Sequence, residues 1–180
     1  MRMAVRVDTL TARARDIRLV TCDVDGVLTD GRVYCADDGS EMKAFSSLDG
    51  VGIKMLARAG IAVAWITGSS SPSVAHRARM LGVARLVQGS DDKLRPWEAL
   101  IGELGLPGSA CAHIGDDLPD LPIIARCGLG VTVPHAPAAV RERAHYVTLR
   151  EGGAGAVREV CELILAAQDA LAPQLAAFGA

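Results

Sequence analysis

Two aspartates spaced two residues apart are the part of this chain best suited to chemistry. Asp23 and Asp25 end an apolar run that begins at residue 17, and Gly26 follows directly. In an extended strand, residues i and i+2 point to the same face, and a glycine after the second acid indicates a turn. Such a pair can hold a divalent cation, with one carboxylate attacking an electrophile and the other moving a proton. The alternative is an ordinary Asp-Gly turn beside a solvated acid.

Two more polar segments follow other apolar runs. Thr67-Gly68-Ser69 comes after the run 61–66 and is a candidate cradle of backbone N–H groups for an anion, although an ordinary helix N-cap has a similar composition. Lys93 comes after the run 84–87, at the predicted start of a helix, where the helix dipole favours acids instead. We interpret it as a lysine that reaches a phosphate or screens carboxylates, the alternative being a solvated surface lysine.

A cluster of acids follows a fourth apolar run. Asp116, Asp117 and Asp120 come after residues 110–114, and carboxylate oxygens are the ligands that Mg²⁺ prefers. The carboxyl ends of parallel strands lie along one edge of a sheet, so all four segments are expected to face one crevice. A single shared site explains them better than four coincidences.

The elements that must position these residues alternate between strands and helices. The sequence predicts strands over 17–23, 61–66, 84–87, 110–114, 128–133 and 146–148. It predicts helices over 49–58, 72–81, 93–104, 118–127, 137–144 and 156–170. Residues 32–45, between the first strand and the first of these helices, are typical of a β-hairpin. The pattern predicts an α/β fold, a doubly wound, Rossmann-like parallel sheet with helices on both faces.

Length and composition agree with that fold. The chain has 180 residues, of which 50% are hydrophobic but only 3% aromatic, so its core must be aliphatic. We divide it into an N-terminal helical extension (1–16), one main domain (17–170) and a C-terminal tail (171–180). A net charge of −2 gives no electrostatic case for binding nucleic acid or a membrane. Five scattered cysteines without a CxxC pair indicate reduced thiols and a cytoplasmic protein.

In this order the segments resemble the haloacid dehalogenase-like phosphatases, from Asp23 to Asp120. The resemblance implies that Asp23 is a nucleophile that forms an aspartyl-phosphate, and that Asp25 protonates the leaving oxygen and later activates water. It implies that Thr67 and Lys93 hold the phosphoryl oxygens. It also implies a Mg²⁺ site made of Asp23, the backbone carbonyl of Asp25, and Asp116, with Asp117 closer to the metal than Asp120.

A closer resemblance covers nearly the whole chain after residue 15. The segment 23–30, Lys43-Ala44-Phe45, Asp49-Gly50, Gln88-Gly89 and the segment 155–161 are similar to the 3-deoxy-D-manno-octulosonate 8-phosphate phosphatase family. The resemblance implies hydrolysis of that phosphorylated sugar acid, no cap domain, and a homotetramer joined by the hairpins. The alternatives are a related nonulosonate or another small sugar phosphate as substrate, or a non-catalytic scaffold. A receiver domain fits less well, because its phosphorylated Asp lies on a middle strand.

Three arginines expected from that family are missing. Leu48, Ser69 and Ala154 stand where the family usually has arginine. A small neutral side chain cannot replace a bidentate contact to a carboxylate, so we expect lower efficiency or broader tolerance for the sugar acid than is usual in the family.

The candidate substrate-binding residues are therefore drawn from the acid pair, the loop after it and two nearby helices. They are Asp25, Ser46, Ser47, Leu48, Asp49, Gly50, Lys54, Gly68, Ser69, Arg77 and Lys93. For Lys54 and Arg77, a solvated basic helix face is the alternative. His113 is expected on a core strand and His135 in a loop, and neither has metal-ligand spacing.

Overall fold

In the computed structural model, strands and helices alternate along the chain. The structure describes residues 2–177 and 179, and of residues 2–8 it describes the backbone alone. The strands are β1 (Leu19–Cys22), β2 (Tyr34–Cys35), β3 (Glu41–Met42), β4 (Ala62–Ile66), β5 (Arg85–Val87), β6 (Cys111–Ile114), β7 (Leu129–Thr132) and β8 (Tyr146–Val147). The helices are α1 (Arg2–Arg15), α2 (Ser47–Arg58), α3 (Pro72–Leu81), α4 (Leu94–Glu103), α5 (Leu121–Ile124), α6 (Ala138–Arg141), α7 (Ala156–Ala167) and α8 (Leu171–Ala176).

Six of the strands form one parallel sheet whose order reverses at its centre. The order is β5-β4-β1-β6-β7-β8, and each neighbouring pair is parallel. The chain runs outward from β1 through β4 to β5, then returns to the other side of β1 and continues outward from β6. In doubly wound sheets, ligands bind beyond the carboxyl ends of the strands at this switch point. The predicted fold class is confirmed.

The sheet is covered on both faces because its strands are apolar on both faces. Along β1, Val20 and Cys22 pack into one apolar layer, and Leu19 packs into another that includes Trp97 of α4. This alternation follows from the two-residue period of a strand. All four residues of β1 are buried, and so is Asp23 directly after it.

Some predicted elements are shorter than expected. The helix predicted over 118–127 is a 3-10 turn (Leu118–Asp120) followed by the short helix α5. Pro119 and Pro122 each lack an N–H donor, so they occur in first turns and limit the regular helix. Part of the predicted tail is helical, as α8. The division into extension, domain and tail stays a prediction.

The hairpin after β1 projects from the main sheet. Strands β2 and β3 form a separate antiparallel sheet in which Tyr34 lies opposite Met42. The described residues contain no inserted domain between the strands of the main sheet. Over the same residues, the helices are too short or too polar to cross a bilayer.

Candidate active site

The two aspartates of the first segment lie at the carboxyl end of β1, next to β6. The N–H of Asp23 donates to the carbonyl of Ile114 (2.9 Å), which continues the ladder one residue beyond β1. Gly26 then turns the chain with a φ of +93°, in the region that favours glycine. A Cβ on Gly26 would collide with the carboxylate of Asp116. Glycine therefore lets the acid after β6 approach the acids after β1.

Lys93 lies between two carboxylates at the bottom of the crevice. Its Nζ is 2.8 Å from Oδ1 of Asp23 and 2.9 Å from Oδ1 of Asp120. All three residues are buried, with at most 5% of their surface exposed. Buried charges are stable only when they are paired. Lys93 is thus held against Asp23, and the alternative of a solvated surface lysine is excluded.

Asp120 is held by four hydrogen-bonding groups. Its Oδ1 accepts from Lys93 and lies 3.0 Å from Nε2 of His113, while Oδ2 accepts the backbone N–H groups of Asp116 (3.2 Å) and Asp117 (3.3 Å). Burial opposes ionisation, but the contacts with His113 and Lys93 outweigh it and lower the pKa of Asp120 well below its usual range. The carboxylate therefore organises the loop after β6, and its lone pairs are occupied.

Asp23 and Asp116 are the carboxylates best placed to bind a metal ion. Oxygen atoms of Asp23, Asp116 and Asp120 lie within 4.8 Å of one another, but those of Asp120 already accept four hydrogen bonds. Burial raises the pKa of both Asp23 and Asp116, and the negative charge of Asp120 raises each further. A divalent cation relieves this accumulation of negative charge, and Mg²⁺ prefers carboxylate oxygens. The residues therefore fit Mg²⁺.

Asp117 does not lie where we expected. It is exposed, and its Oδ1 accepts the N–H of Leu118 at 2.8 Å at the start of the 3-10 turn. Asp120 is the acid of this pair that lies in the acidic cluster, and a contact of Asp117 with the metal ion stays a prediction. In this capping position Asp117 faces outward, and the turn brings Asp120 back to the acidic cluster.

Asp25 is held by side chains from two other segments. Its Oδ2 accepts from Oγ of Ser69 (2.7 Å) and from Oγ1 of Thr67 (3.4 Å), and its Oδ1 accepts from Nζ of Lys43. Burial alone would raise the pKa of Asp25, but the hydrogen bonds from Lys43 and Ser69 outweigh it and the pKa is lowered. The structure thus brings together the acid pair and the predicted anion cradle.

Lys43 is a site residue that sequence reasoning missed. It follows β3, and its side chain is only 6% exposed although the neighbouring hairpin residues are exposed. Its Nζ contacts Asp25 and lies 3.5 Å from Oγ of Ser69. The available signal was a basic residue where the hairpin returns to the sheet. Its partner lies 18 residues earlier in the chain, which no local pattern identifies.

The crevice carries more negative than positive charge. Four carboxylates meet here (Asp23, Asp25, Asp116, Asp120), whereas the ammonium groups in contact with them are those of Lys43 and Lys93. If all of these groups are ionised, four negative and two positive charges leave an excess of two negative charges. One divalent cation would balance it.

The five candidate residues around the start of α2 divide into two groups. Ser47 and Leu48 are exposed, and Ser46 caps the helix by accepting the N–H of Leu48 at 3.2 Å. Asp49 is buried and accepts a backbone N–H from the first turn of α7 at 2.8 Å. Gly50 is buried as well. Asp49 thus joins α2 to α7, and because both residues are buried their contact with substrate stays a prediction that the packing does not favour.

The remaining candidates are more scattered. Lys54 is exposed on α2, and Gly68 is exposed in the loop after β4. Arg77 of α3 is half-buried, donates from Nη2 to the carbonyl of Ser46 (3.3 Å), and lies 6.0 Å from the ring centre of Phe45. Its guanidinium joins α3 to the start of α2, and the predicted anion contact of Arg77 stays a prediction.

A histidine after β7 lies beside the predicted metal ligand. Nδ1 of His135 is 2.8 Å from Oε2 of Glu151, and its Nε2 is 3.8 Å from Oδ2 of Asp116. Sequence spacing did not indicate this contact, because Asp116 and Glu151 come from the loops after β6 and β8. The parallel sheet brings these loops to the same edge.

Arg150 lies in the loop after β8, close to one of the positions that lack arginine. The side chains of Arg150 and Leu48 both lie against Gly155. If that glycine carried a Cβ, the Cβ would be 3.0 Å from Cδ of Arg150 and 3.6 Å from Cδ1 of Leu48. The loop is attached to the first segment by the N–H of Gly153, which donates to the carbonyl of Val27 (2.9 Å). An exposed guanidinium thus lies next to Leu48.

Comparison with known proteins gives consistent results. Residues 50–128 match the model of the haloacid dehalogenase-like hydrolases. The chain is 48% identical over 164 residues to 3-deoxy-D-manno-octulosonate 8-phosphate phosphatase of Yersinia pestis, covering 91% of this chain and 88% of that protein. It is 44% identical over 160 residues to the enzyme of the same name from Escherichia coli K12, covering 89% and 85%.

A solved structure gives the same result for the fold. The phosphatase of that name from Moraxella catarrhalis, in complex with a magnesium ion, a phosphate ion and a KDO molecule, superposes with a TM-score of 0.92. It is 45% identical in sequence, and the match covers 94% of this chain and 97% of that one.

Proposed function

Because the chain belongs to the 3-deoxy-D-manno-octulosonate 8-phosphate phosphatase family of haloacid dehalogenase-like hydrolases, we propose that it is a Mg²⁺-dependent phosphomonoesterase. Its proposed substrate is a phosphorylated 3-deoxy-2-ulosonic acid, namely 3-deoxy-D-manno-octulosonate 8-phosphate. The observation that carries the proposal is the buried contact of 2.8 Å between Asp23 and Lys93, at the sheet edge that also holds Asp116.

Asp23 is the proposed nucleophile. One carboxylate oxygen attacks phosphorus, the bond to the leaving oxygen breaks, and an aspartyl-phosphate forms on Asp23. Lys93 neutralises charge on the phosphoryl oxygens, and the hydroxyl of Thr67 donates to them. Water then attacks phosphorus, which releases inorganic phosphate and regenerates the carboxylate of Asp23.

Asp25 is the proposed general acid and base. It gives a proton to the leaving oxygen in the first step and takes one from the attacking water in the second. In the free protein the hydrogen bonds from Lys43 and Ser69 favour its ionised form. A protonated acid gains less from a neighbouring ammonium, so we expect an anionic substrate to draw Lys43 away from Asp25 before the first step.

The carboxylates of Asp23 and Asp116 and the backbone carbonyl of Asp25 are the proposed ligands of Mg²⁺. The ion would reduce the repulsion between an anionic phosphate and these carboxylates. Lys93 alone cannot do so, because Asp120 and Asp23 already share its charge.

Specificity for a sugar acid is the second half of the proposal. The relatives' names and the bound KDO in the Moraxella catarrhalis structure support it, and Arg150 supplies a guanidinium beside Leu48. Against it, positions 48, 69 and 154 lack the arginines expected of the family. That absence favours a second candidate, a phosphatase for a related nonulosonate or another small sugar phosphate.

One assay separates these possibilities. Phosphate release is measured with and without Mg²⁺ over a set of sugar phosphates that includes 3-deoxy-D-manno-octulosonate 8-phosphate, with p-nitrophenyl phosphate as a non-specific reference. We expect release that depends on Mg²⁺ and the highest kcat/KM for the sugar acid. A strong preference for an unrelated phosphate would leave the phosphatase chemistry and refute the sugar-acid assignment. No release from any phosphate would favour the scaffold alternative.

Assembly and location extend the proposal. Val33 and Met42 of the hairpin are 67% and 66% exposed, which is unusual for apolar side chains on a projecting element. We propose that the hairpins join four copies into a homotetramer in the cytoplasm. Light scattering of the wild-type protein should give a tetramer, and Val33→Ser with Met42→Ser should shift it to smaller species. A fully active monomer of about the chain mass of 18.8 kDa would refute the tetramer.

A further inference from the structure

His113 occupies an unusual position for an ionisable side chain. It lies on β6 opposite Thr21 of β1, and both residues are completely buried. Two residues earlier on each strand, Cys111 and Leu19 face the apolar layer that contains Trp97. By the two-residue period of strands, His113 and Thr21 share that face. A polar pair in an apolar layer is unfavourable unless its hydrogen bonds are satisfied.

Both ring nitrogens of His113 have partners. Nδ1 lies 2.8 Å from Oγ1 of Thr21, and Nε2 lies 3.0 Å from Oδ1 of Asp120. An ionised carboxylate only accepts hydrogen bonds, so Nε2 must carry the hydrogen in this contact. The hydroxyl of Thr21 also lies 3.1 Å from the carbonyl of Ala112, which fixes its position. The imidazole is therefore held in one orientation, directed at Asp120.

The contact matters because Asp120 and Asp23 compete for one cation. Lys93 lies 2.8 Å from Asp23 and 2.9 Å from Asp120, so its charge is shared almost equally. How strongly Asp120 attracts Lys93 depends on the hydrogen bonds that Asp120 accepts from its other donors. Without the N–H of His113, the buried carboxylate of Asp120 would attract Lys93 more strongly and draw it away from Asp23.

We propose that His113 is a positioning residue that keeps Lys93 available to the nucleophile and to the phosphoryl group. It acts through Asp120 and touches neither substrate nor metal. The inference rests on the proposed phosphatase function, because it assigns Lys93 to the transferred phosphate. On this proposal, the buried pair of His113 and Thr21 contributes to the function of the site.

Two substitutions at His113 test the contact itself. The side-chain amide of Gln can place a donor near the position of Nε2, whereas that of Asn reaches only the position of Nδ1. We expect His113→Asn to lower kcat about tenfold or more and to weaken binding of inorganic phosphate by a similar factor, since a hydrogen bond to a charged group is lost. His113→Gln should restore much of both. His145→Asn is the matched control, because His145 accepts a backbone N–H from Gly130 (2.8 Å) away from the site.

Phosphate binding is measured by calorimetry in the presence of Mg²⁺, and thermal unfolding is measured for every variant. If His113→Asn does not fold, Thr21→Val replaces it, because it removes only the hydroxyl that orients the ring. The inference is overturned if the folded variant, Asn or Val, has the kcat and phosphate affinity of the wild type. It is also overturned if His113→Gln and His113→Asn are equally impaired, which would indicate a purely structural role. A wild-type protein that hydrolyses no phosphate monoester refutes the proposed function instead, and the phosphate affinities of the variants still decide the role of His113.

Discussion

The two ends of the crevice differ in how their side chains are buried. Buried, paired charges form the end that would hold the transferred phosphate. Exposed side chains on loops form the end that would meet the rest of the substrate. At the first end, Lys93 lies within 2.9 Å of both Asp23 and Asp120, and all three side chains are almost inaccessible to solvent. At the second end, Leu48 and Arg150 are exposed. Loss of Lys93 at the first end would leave the buried carboxylate of Asp23 without its cation, which is strongly destabilising. Changes at the second end should have little effect on stability, because these side chains are exposed. Two of the three departures from the family pattern, at Leu48 and Ala154, lie outside the buried charge pairs.

Substitution of the nucleophile should have the largest effect and would test the buried end directly. Asp23→Asn should abolish turnover, because an amide cannot form the aspartyl-phosphate. Asp25→Asn should slow both steps but leave Mg²⁺ binding detectable by calorimetry, since the proposed contact at that position is the backbone carbonyl. Near-wild-type phosphate release by Asp23→Asn would refute the assignment.

Removal of the shared cation should have the next largest effect. Lys93→Met should lower kcat by roughly 10²–10³-fold, the usual effect of losing one group that stabilises transition-state charge. It should also lower the free energy of unfolding by about 3–5 kcal/mol without Mg²⁺, because two buried carboxylates lose their partner. Activity and thermal unfolding are compared with Arg95→Met, which removes an exposed cation from α4. A variant as stable as that control would contradict the account of the buried end.

A smaller effect is expected where the two ends meet. Lys43→Met should lower kcat about tenfold, because the anionic substrate loses the charge-assisted hydrogen bond of the ammonium that it is expected to draw from Asp25. The pKa of Asp25 should rise, since the contact with Lys43 lowers it in the wild type. The pH dependence of kcat should therefore shift to higher pH on the limb that reports this acid. Glu41→Gln, an exposed change on the same hairpin, is the control, and an unchanged profile in Lys43→Met would count against the role of Lys43.

Substitution at the exposed end should give the smallest effect on kcat/KM, and should raise it instead of lowering it. Leu48→Arg should raise kcat/KM for 3-deoxy-D-manno-octulosonate 8-phosphate by about tenfold relative to p-nitrophenyl phosphate, because a guanidinium can pair with the sugar carboxylate. Met80→Arg adds the same charge at the far end of α3 and should give no selective gain. Equal gains in both variants would mean that overall charge, not a specific contact, sets the preference.

The sequence was informative about the buried end wherever a strand preceded a polar segment. Asp23, Thr67, Lys93 and Asp116 could each be placed after the carboxyl end of a predicted strand, and in the structure β1, β4, β5 and β6 precede them. Strand periodicity and parallel connections were sufficient for this, because they depend on residues that are close in sequence. The roles assigned to these residues came from the family resemblance and stay predictions.

The sequence was less informative about which of several possible partners a charged side chain contacts. Lys93 contacts Asp120, 27 residues away, and Lys43 contacts Asp25, 18 residues away. The family resemblance favours Asp117 over Asp120 as a neighbour of the metal, but the 3-10 turn leaves Asp117 exposed and places Asp120 in the buried acidic cluster. Asp49 is a predicted substrate contact, and in the structure it accepts a backbone N–H from the first turn of α7.

The sequence by itself thus determined the sheet, the segments at its carboxyl edge and the type of chemistry, because these follow from hydrophobic periodicity, turn residues and the order of motifs. Only the tertiary structure decided which donors satisfy each carboxylate, and with it the proposed roles of Asp120, Lys43 and His113 as organisers of the site. The physical reason is the short range of a hydrogen bond. A shift of one ångström in a side chain breaks it, and that position is set by packing between segments that are far apart in the chain.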